Sequence, residues 1–160
     1  MKKIILCDID HTLFDSSWRD HMVTRREPGE ENWDAYHEAA DDDPSSQVMV
    51  DLIKTLQTVY SIIGLTAIPE MWRSRTRVRL LRAGYVLNGL LMRPEGNFDP
   101  SPVVKIKMAR GAGDLSNVAF LLEDRDDVSK AFREAGVVVL QVHLTSGHAP
   151  SVPFLEEERA

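Results

Sequence analysis

The sequence has little cysteine, no long apolar run and no excess of positive charge, and each absence excludes a class of protein. A single cysteine, Cys7, cannot form a disulfide within the chain, so a disulfide-stapled scaffold is excluded and a reducing compartment is expected. No apolar run approaches the roughly 20 residues that a membrane-spanning helix needs. With a net charge of −6, only a local basic patch could bind nucleic acid. We therefore expect a cytoplasmic protein without a membrane partner, of unknown oligomeric state.

What is present is the composition of one ordinary folded domain. The chain has 160 residues, of which 43% are hydrophobic and 28% charged, enough to bury a core without metal or disulfide staples. Short apolar runs without alternation are typical of strands buried on both faces, as in a parallel sheet. Such runs, or β-branched ones, occupy residues 4–7, 59–65, 118–122 and 137–142.

Helical patterns separate these predicted strands. Asp43-Pro44 predicts the start of the first helix, Pro69 the start of the second and residues 99–102 the start of the third. An apolar face over residues 128–135 predicts a fourth. Alternating strands and helices favour an α/β fold, a three-layer Rossmann-like parallel sheet.

One stretch near the start does not follow this alternation. Residues from about 15 to 46 include an acidic segment and two of the three tryptophans, Trp18 and Trp33, and predict a small helical or irregular insert over the sheet edge. We expect a domain over residues 1–143 with this insert as a cap, followed by a tail over residues 144–160.

The strongest chemical signal follows the first predicted strand. Asp8 and Asp10 alternate with Ile9, so we expect both carboxylates to project together from the carboxyl end of the strand, where open α/β sheets place their ligands. Like charges this close repel unless a cation or a proton relieves them. Mg²⁺ fits, because one or two carboxylates with water and substrate phosphate typically hold it. A simple helix-capping turn is the alternative.

Four groups of residues follow one another in the order of the predicted elements: Asp8, Asp10 and Thr12; Thr66; Lys105; and Glu123 with Asp124. With these four groups the sequence resembles the haloacid dehalogenase (HAD) superfamily of phosphatases, whose four motifs stand at successive strand ends. Within that superfamily it is most similar to the phosphatase domain of polynucleotide kinases and its stand-alone relatives, over roughly residues 3–143. Further matches are Thr66 to Glu70 with Arg73 and Thr76, Met92-Arg93-Pro94, Asp124-Arg125 with Val128, Arg133 with Gly136, and Gln141-Val142.

The resemblance implies a Mg²⁺-dependent phosphomonoesterase. Asp8 would attack phosphorus and form an aspartyl-phosphate, and Asp10 would act as general acid and then as general base. The metal would be held by Asp8, Asp124 and the backbone carbonyl of Asp10. The other implied roles are phosphate binding by Thr66 and Lys105, with Lys107 as an alternative lysine, and substrate binding by Arg73 and Arg93.

Three positions depart from the pattern of this family. His11 replaces a small residue, Ile68 replaces an arginine near the substrate, and Glu123 replaces an aspartate. His11 could tolerate a left-handed turn or reach a phosphate. Arg73 or Arg93 could compensate for Ile68, and the longer Glu123 could leave Asp124 as the better metal ligand.

The second predicted helix carries arginines at positions 73, 75, 77, 79 and 82. They predict either a solvated face or a basic patch for a nucleic-acid backbone. The phosphate-binding loop of a kinase is absent, since no glycine is followed by lysine.

Three functions remain open at this point. A phosphatase acting on a nucleic-acid 3′ end is favoured by the resemblance. A 5′(3′)-(deoxy)nucleotide monophosphatase is the alternative, which the acidity of the insert favours. A non-catalytic protein that keeps the fold is the third. The partner is accordingly a phosphorylated nucleic-acid end or a nucleotide.

Overall fold

The computed structural model describes residues 2–25 and 31–144. A five-stranded, all-parallel sheet forms its centre, with strand order β5-β4-β1-β6-β7. The sheet strands are β1 (Ile4–Cys7), β4 (Ser61–Pro69), β5 (Gly89–Arg93), β6 (Val118–Glu123) and β7 (Val139–Gln141). A separate antiparallel pair consists of β2 (Thr24–Arg25) and β3 (Glu31–Asn32). The predicted three-layer α/β fold is confirmed.

Helices cover the sheet and connect its strands. They are α1 (Asp34–Glu38), α2 (Gln47–Leu56), α3 (Arg73–Ala83), α4 (Ser101–Ala112) and α5 (Asp126–Glu134). Short 3-10 helices occupy Ser17–Met22, Ala39–Asp42, Glu70–Trp72 and Leu115–Asn117. Apolar side chains on the sheet and helices form two clusters of buried residues, one including Ile5, Ile9 and Phe14 and the other Leu6, Leu65 and Phe132.

The central strand β1 is buried as its sequence predicts. Ile5, Leu6 and Cys7 are at most 3% exposed, and β1 pairs with β4 on one side and β6 on the other. This position directs the turn after Cys7 to the middle of the carboxyl edge of the sheet. Residues at that turn therefore lie beside the ends of two neighbouring strands.

Several predicted boundaries need correction. The first helix does not start at Asp43-Pro44: it begins at Gln47, with the hydroxyl of Ser46 accepting from the Met49 amide, while Asp43 is buried among other polar side chains. The second helix ends as predicted at Gly84, whose φ of 91° suits a residue without a side chain. The edge strand β5 was not predicted, because four of its five residues are only partly buried and it includes Gly89.

The predicted insert contains the β2–β3 pair, α1 and two 3-10 helices. It contacts the turn after the central strand, where Arg19 donates to Asp10, and α3, where Arg79 donates to the carbonyl of Ala40. Residues 26–30 of the insert and residues 145–160 of the predicted tail lie outside the described residues. Over the described ranges, the helices are too short or too polar to cross a membrane.

Candidate active site

Asp8 stands at the end of the central strand and is 5% exposed. Its backbone amide donates to the carbonyl of Leu122 at 2.9 Å, which continues the pairing of β1 with β6 by one residue. The hydroxyl of Thr12 donates to Asp8 Oδ2 at 3.3 Å from the turn that follows. That turn contains the one residue other than glycine with positive φ among those described, His11 at 62°. The left-handed turn that His11 could tolerate is therefore present.

Lys105 projects from α4 to the carboxylate of Asp8. Its ammonium group donates to Asp8 Oδ1 at 2.6 Å and to Glu123 Oε2 at 2.7 Å, and the residue is 2% exposed. Burial by itself would lower the pKa of Lys105, but the charges of Asp8 and Glu123 outweigh it and raise that pKa. Lys105 is therefore charged and fixed between two carboxylates. Lys107, the alternative lysine, is exposed and pairs with Asp99 instead.

Three carboxylates and this lysine form what we call the acidic cluster. Oxygens of Asp8, Glu123 and Asp124 lie within 4.8 Å of one another. When all three carboxylates are ionised, their three negative charges and the positive charge of Lys105 give the cluster a net charge of −2. Burial and mutual repulsion raise the pKa of Asp8 to about 6 and also raise the pKa values of Glu123 and Asp124.

The donor set of the acidic cluster fits Mg²⁺. All donors are carboxylate oxygens, which this ion prefers, and opposite ligands of an octahedral Mg²⁺ are about 4.2 Å apart. The oxygens of Asp8, Glu123 and Asp124 lie within 4.8 Å of one another, which is close to this distance. One divalent cation would also balance the net charge of −2 of the ionised cluster. Glu123 is fully buried and also accepts from the Arg125 amide, whereas Asp124 is only partly buried.

Thr66 lies on β4, next to the central strand. Gly64 is the register partner of Cys7, so Thr66, two residues further, lies level with the turn after β1. Thr66 is 2% exposed, and its hydroxyl accepts from the Ile68 amide at 3.2 Å. Its hydroxyl proton remains available to an acceptor.

The carboxylate of Asp10 does not join the acidic cluster. It accepts from Arg79 at 2.6 Å and from Arg19 at 3.0 Å, and both arginines also bind the buried Asp43. We call Asp10, Asp43, Arg19 and Arg79 the arginine network. Burial would raise the pKa of Asp10, but Arg79 and Arg19 outweigh it and lower that pKa, so this carboxylate is ionised. Asp8 and Asp10 both follow the central strand, but their carboxylates have different partners. Asp8 binds Lys105, whereas Asp10 binds Arg79 and Arg19.

The arginine network was missed by the sequence analysis. Arg19 is fully buried and Arg79 is 4% exposed, and their guanidinium groups lie over the rings of Tyr36 and Phe14 respectively. A signal for Arg79 was present, because it falls on the helix face that Thr76 and Leu80 bury. It supplies a guanidinium near Ile68, the position where the resemblance expects an arginine; both residues line the same cleft.

Among the other arginines of α3, Arg73 and Arg75 are bound by neighbouring groups, whereas Arg77 and Arg82 are exposed. Arg75 donates to the carbonyl of Glu38 and to Asp41 at 2.7 Å, both in the insert. Arg73 binds Glu70 and the carbonyl of Leu90. Part of the acidity of the insert is therefore directed at this helix.

Arg93 stands at the end of β5 and holds a loop together. It donates to the carbonyls of Ala67 at 2.9 Å, Asp99 at 2.6 Å and Asn97 at 3.3 Å. Burial, together with the neighbouring charge of Arg125, lowers the pKa of Arg93, while Asp99 opposes this. The structure thus brings Asp8, Lys105 and Asp124 together, whereas Arg73 and Arg93 bind backbone carbonyls nearby.

Aromatic residues of the insert lie beside the arginine network. The ring of Trp33 stacks on that of His37, and Trp33 is 44% exposed. The hydroxyl of Tyr36 lies 3.4 Å from His11 Nε2, which also approaches Asp20. The insert therefore presents polar and aromatic groups toward the turn that carries Asp8 and Asp10.

A family model for the phosphatase domain of the polynucleotide kinase PNKP, within the HAD superfamily, matches residues 2–146 of this chain. None of the curated proteins compared with the chain matches it. Among solved structures, a chain of the Pnkp1/Rnl/Hen1 RNA repair complex is similar, with a TM-score of 0.68 and 24% identity, over 89% of this chain and 42% of that chain. This chain thus spans less than half the length of that protein.

Other solved structures support the same fold. A haloacid dehalogenase-like hydrolase, SP0104 from Streptococcus pneumoniae, has a TM-score of 0.56 and 15% identity, over 88% of this chain and 84% of that chain. A HAD family enzyme from Bacteroides thetaiotaomicron, solved as a magnesium complex, has a TM-score of 0.55 and 12% identity, over 94% of this chain and 96% of that chain. At these identities the likeness shows the fold alone.

Proposed function

Because this chain belongs to the family of PNKP-type phosphatase domains within the HAD superfamily, and is therefore a phosphatase, we propose that it removes the phosphate from a nucleic-acid 3′ end. The observation that supports the phosphatase chemistry most is the acidic cluster, in which Lys105 Nζ lies 2.6 Å from the buried carboxylate of Asp8. A carboxylate fixed in this way has the position and charge of a nucleophile. The expectation of an enzyme, rather than a non-catalytic binding protein, is confirmed by the family match.

Asp8 is the nucleophile in this proposal. One of its oxygens attacks phosphorus while the bond to the leaving oxygen breaks, which gives an aspartyl-phosphate. Water then attacks phosphorus and releases Asp8 and inorganic phosphate. Lys105 keeps Asp8 ionised for the first step, and the Thr12 hydroxyl orients its second oxygen.

Asp10 is the general acid and base. It must give a proton to the leaving oxygen and take one from the attacking water. In the structure its carboxylate is ionised and held by Arg79 and Arg19. This is the form that accepts a proton from water in the second step, whereas the first step needs Asp10 in its protonated form, so that it has a proton to give to the leaving oxygen.

Mg²⁺ is the proposed cofactor, and the carboxylates of Asp8 and Asp124 with the backbone carbonyl of Asp10 would hold it. When bound, it supplies positive charge that stabilises the phosphoryl oxygens and offsets the crowded carboxylates. Lys105 and the Thr66 hydroxyl are the proposed phosphate-binding groups. Glu123 positions Lys105 through its 2.7 Å contact.

The 3′ end of a nucleic acid is the proposed substrate because of the family match, and the solved chain from an RNA repair complex agrees with it. Arg73 and Arg93 are the proposed contacts to the rest of the substrate. A free (deoxy)nucleotide is the second candidate. One observation favours it: the insert binds Arg75 through the carboxylate of Asp41 and Arg79 through the carbonyl of Ala40, which leaves less positive charge to attract a long polyanion. We also propose a cytoplasmic location, supported by the free, buried Cys7.

A substrate panel in a salt series tests the proposal. We expect hydrolysis of a 3′-phosphorylated oligonucleotide that stops with excess chelator and returns with Mg²⁺. Binding should weaken steeply with salt, because each neutralised phosphate releases counterions. Arg73→Ala should raise KM for the oligonucleotide but not for an aryl phosphate, with Arg77→Ala as the control on the same helix. Faster turnover of mononucleotides with a flat salt response would replace the first candidate by the second; full activity in chelator would exclude the metal role.

A further inference from the structure

Phe98 is the most exposed large hydrophobic side chain among the described residues, at 94%. It lies in the loop between β5 and α4. Single exposed apolar residues are common on protein surfaces, so exposure alone indicates no ligand. The position of this loop and the contacts that hold it are what distinguish Phe98.

The loop stands at the carboxyl edge of the sheet, where the acidic cluster also lies. β5 runs parallel to β1, so the residues after Arg93 emerge at the same edge as those after Cys7. The loop leads directly into α4, whose Lys105 binds Asp8. Two strand spacings, about 10 Å, separate β5 from β1 in the sheet. A nucleoside that extends from a phosphate at Asp8 toward β5 therefore has its base in the neighbourhood of this loop.

Hydrogen bonds fix both neighbours of Phe98. Arg93 donates to the carbonyls of Asn97 at 3.3 Å and Asp99 at 2.6 Å. The side chain of Asn97 accepts from the Asp99 amide at 2.9 Å, and Lys107 binds the Asp99 carboxylate at 2.7 Å. The backbone that carries Phe98 is thus held before any substrate arrives, so less ordering is needed when a ligand contacts the ring.

We propose that Phe98 is a specificity residue that stacks on the nucleobase of the nucleotide bearing the scissile phosphate. This inference rests on the proposed function, because it needs a substrate with a base. It assigns a different role to Arg93, which positions the loop that presents Phe98 as well as lying near the substrate. Stacking on a single aromatic face tolerates every base, so the enzyme should discriminate weakly between sequences.

The test compares Phe98→Ala and Phe98→Trp with the wild-type protein on three substrates. These are a 3′-phosphorylated oligonucleotide, the same oligonucleotide with an abasic residue at the phosphorylated position, and a nucleoside 3′-monophosphate. Val86→Ala is the matched control, since Val86 is an exposed apolar residue before β5, at the opposite edge of the sheet.

We expect Phe98→Ala to raise KM about 10-fold for the two substrates with a terminal base, with little change in kcat. Phe98→Trp should keep the wild-type KM, and the abasic substrate should respond to neither change. If only the oligonucleotide responds, the base belongs to a nucleic-acid end; if the mononucleotide responds equally, a free nucleotide uses the same platform.

Equal KM values for Phe98→Ala and wild type on the base-containing substrates would overturn the role of Phe98 while leaving the proposed phosphatase function intact. Failure of the wild-type protein to hydrolyse any base-containing phosphomonoester, with an aryl phosphate still hydrolysed, would overturn the proposed substrate class and Phe98 with it.

Discussion

The acidic cluster and the arginine network meet at the turn after β1, yet they balance charge differently. In the acidic cluster, one lysine faces three carboxylates, which leaves a charge of −2 when all are ionised. In the arginine network, Arg19 and Arg79 face Asp10 and Asp43, and the four charges cancel. The first arrangement keeps a net negative charge unless a cation or a proton offsets it, whereas the charges of the second cancel.

The difference in charge balance suits the acidic cluster to binding a ligand and the arginine network to holding the fold together. An unbalanced buried cluster is costly for the fold and is useful only if a ligand completes it. A balanced one holds the parts together: its members come from the turn after β1, from both ends of the insert and from α3. The side chain of Asp10 belongs to the arginine network, and Asp10 lies two residues after Asp8 of the acidic cluster. It thereby connects the insert to the proposed reaction.

The largest expected effect comes from Asp8→Asn, which removes the proposed nucleophile. Turnover should fall at least about 1,000-fold, because a nucleophile that acts with its partners cannot be replaced by them. The metal-free protein should nevertheless stay folded or gain stability, because one of three crowded carboxylates has lost its charge. Steady-state turnover and the urea midpoint measure the two effects. A variant that keeps more than about one per cent of wild-type turnover would show that Asp8 is not the nucleophile.

Asp43→Asn removes one partner from the arginine network. In contrast to Asp8→Asn, it should lower the stability of the protein more than its activity. Asp43 accepts from Arg19 at 2.6 Å and 2.7 Å, and both side chains are fully buried. Removing one partner of a buried pair leaves an uncompensated charge, so the free energy of unfolding should fall by about 3 kcal/mol. Activity at a temperature where the variant is folded should fall less than in Asp8→Asn.

The control for this change is Glu134→Gln. Glu134 forms an exposed ion pair with Lys130 at 3.9 Å, which should contribute less than about 0.5 kcal/mol. Urea denaturation of both variants gives the comparison. A loss in Asp43→Asn as small as that in Glu134→Gln would show that the arginine network does not stabilise the fold.

The sequence predicted the acidic cluster but not the arginine network, and the reason is physical. Asp8 and Lys105 are 97 residues apart, and only the order of the four family motifs relates them. No motif relates Asp10 to Arg79, which are 69 residues apart, or Arg19 to Asp43, which are 24 apart. Charged residues in a sequence indicate a solvated surface by default, because arginine is rarely buried unless paired. Where the pairs form is decided by tertiary packing.

The sheet was more predictable than the ends of its elements. Strands buried on both faces are recognisable from apolar runs, as in β1, and α3 ends at the predicted Gly84. The start of α2 was placed wrongly, because Asp43 matches the preference for a helix cap and is used instead by two arginines and Ser16. A local preference is overridden when the same side chain satisfies several buried donors.

The last expected effect is a dependence of stability on pH through His37, which lies beside the arginine network. This effect reaches its full size only near pH 4. Burial and the positive charges of Arg19 and Arg79 lower the pKa of His37 to about 4, although Asp10 and Asp34 oppose this. An unfolded histidine has a pKa near 6.5, so between pH 6.5 and 4 the unfolded chain binds more protons at this site. Stability from His37 is therefore fully present above pH 6.5 and is lost as the pH falls toward 4, by at most about 3 kcal/mol.

Acidic side chains also titrate in this range, so the informative quantity is the free energy of unfolding of wild type minus that of His37→Gln, measured in urea from pH 7.5 to 4. We expect this difference to decrease as the pH falls, because the wild type loses stability relative to His37→Gln. A difference that stays constant would show that His37 accepts a proton in the folded protein as readily as in the unfolded chain. The arginine network beside His37 would then not keep it neutral.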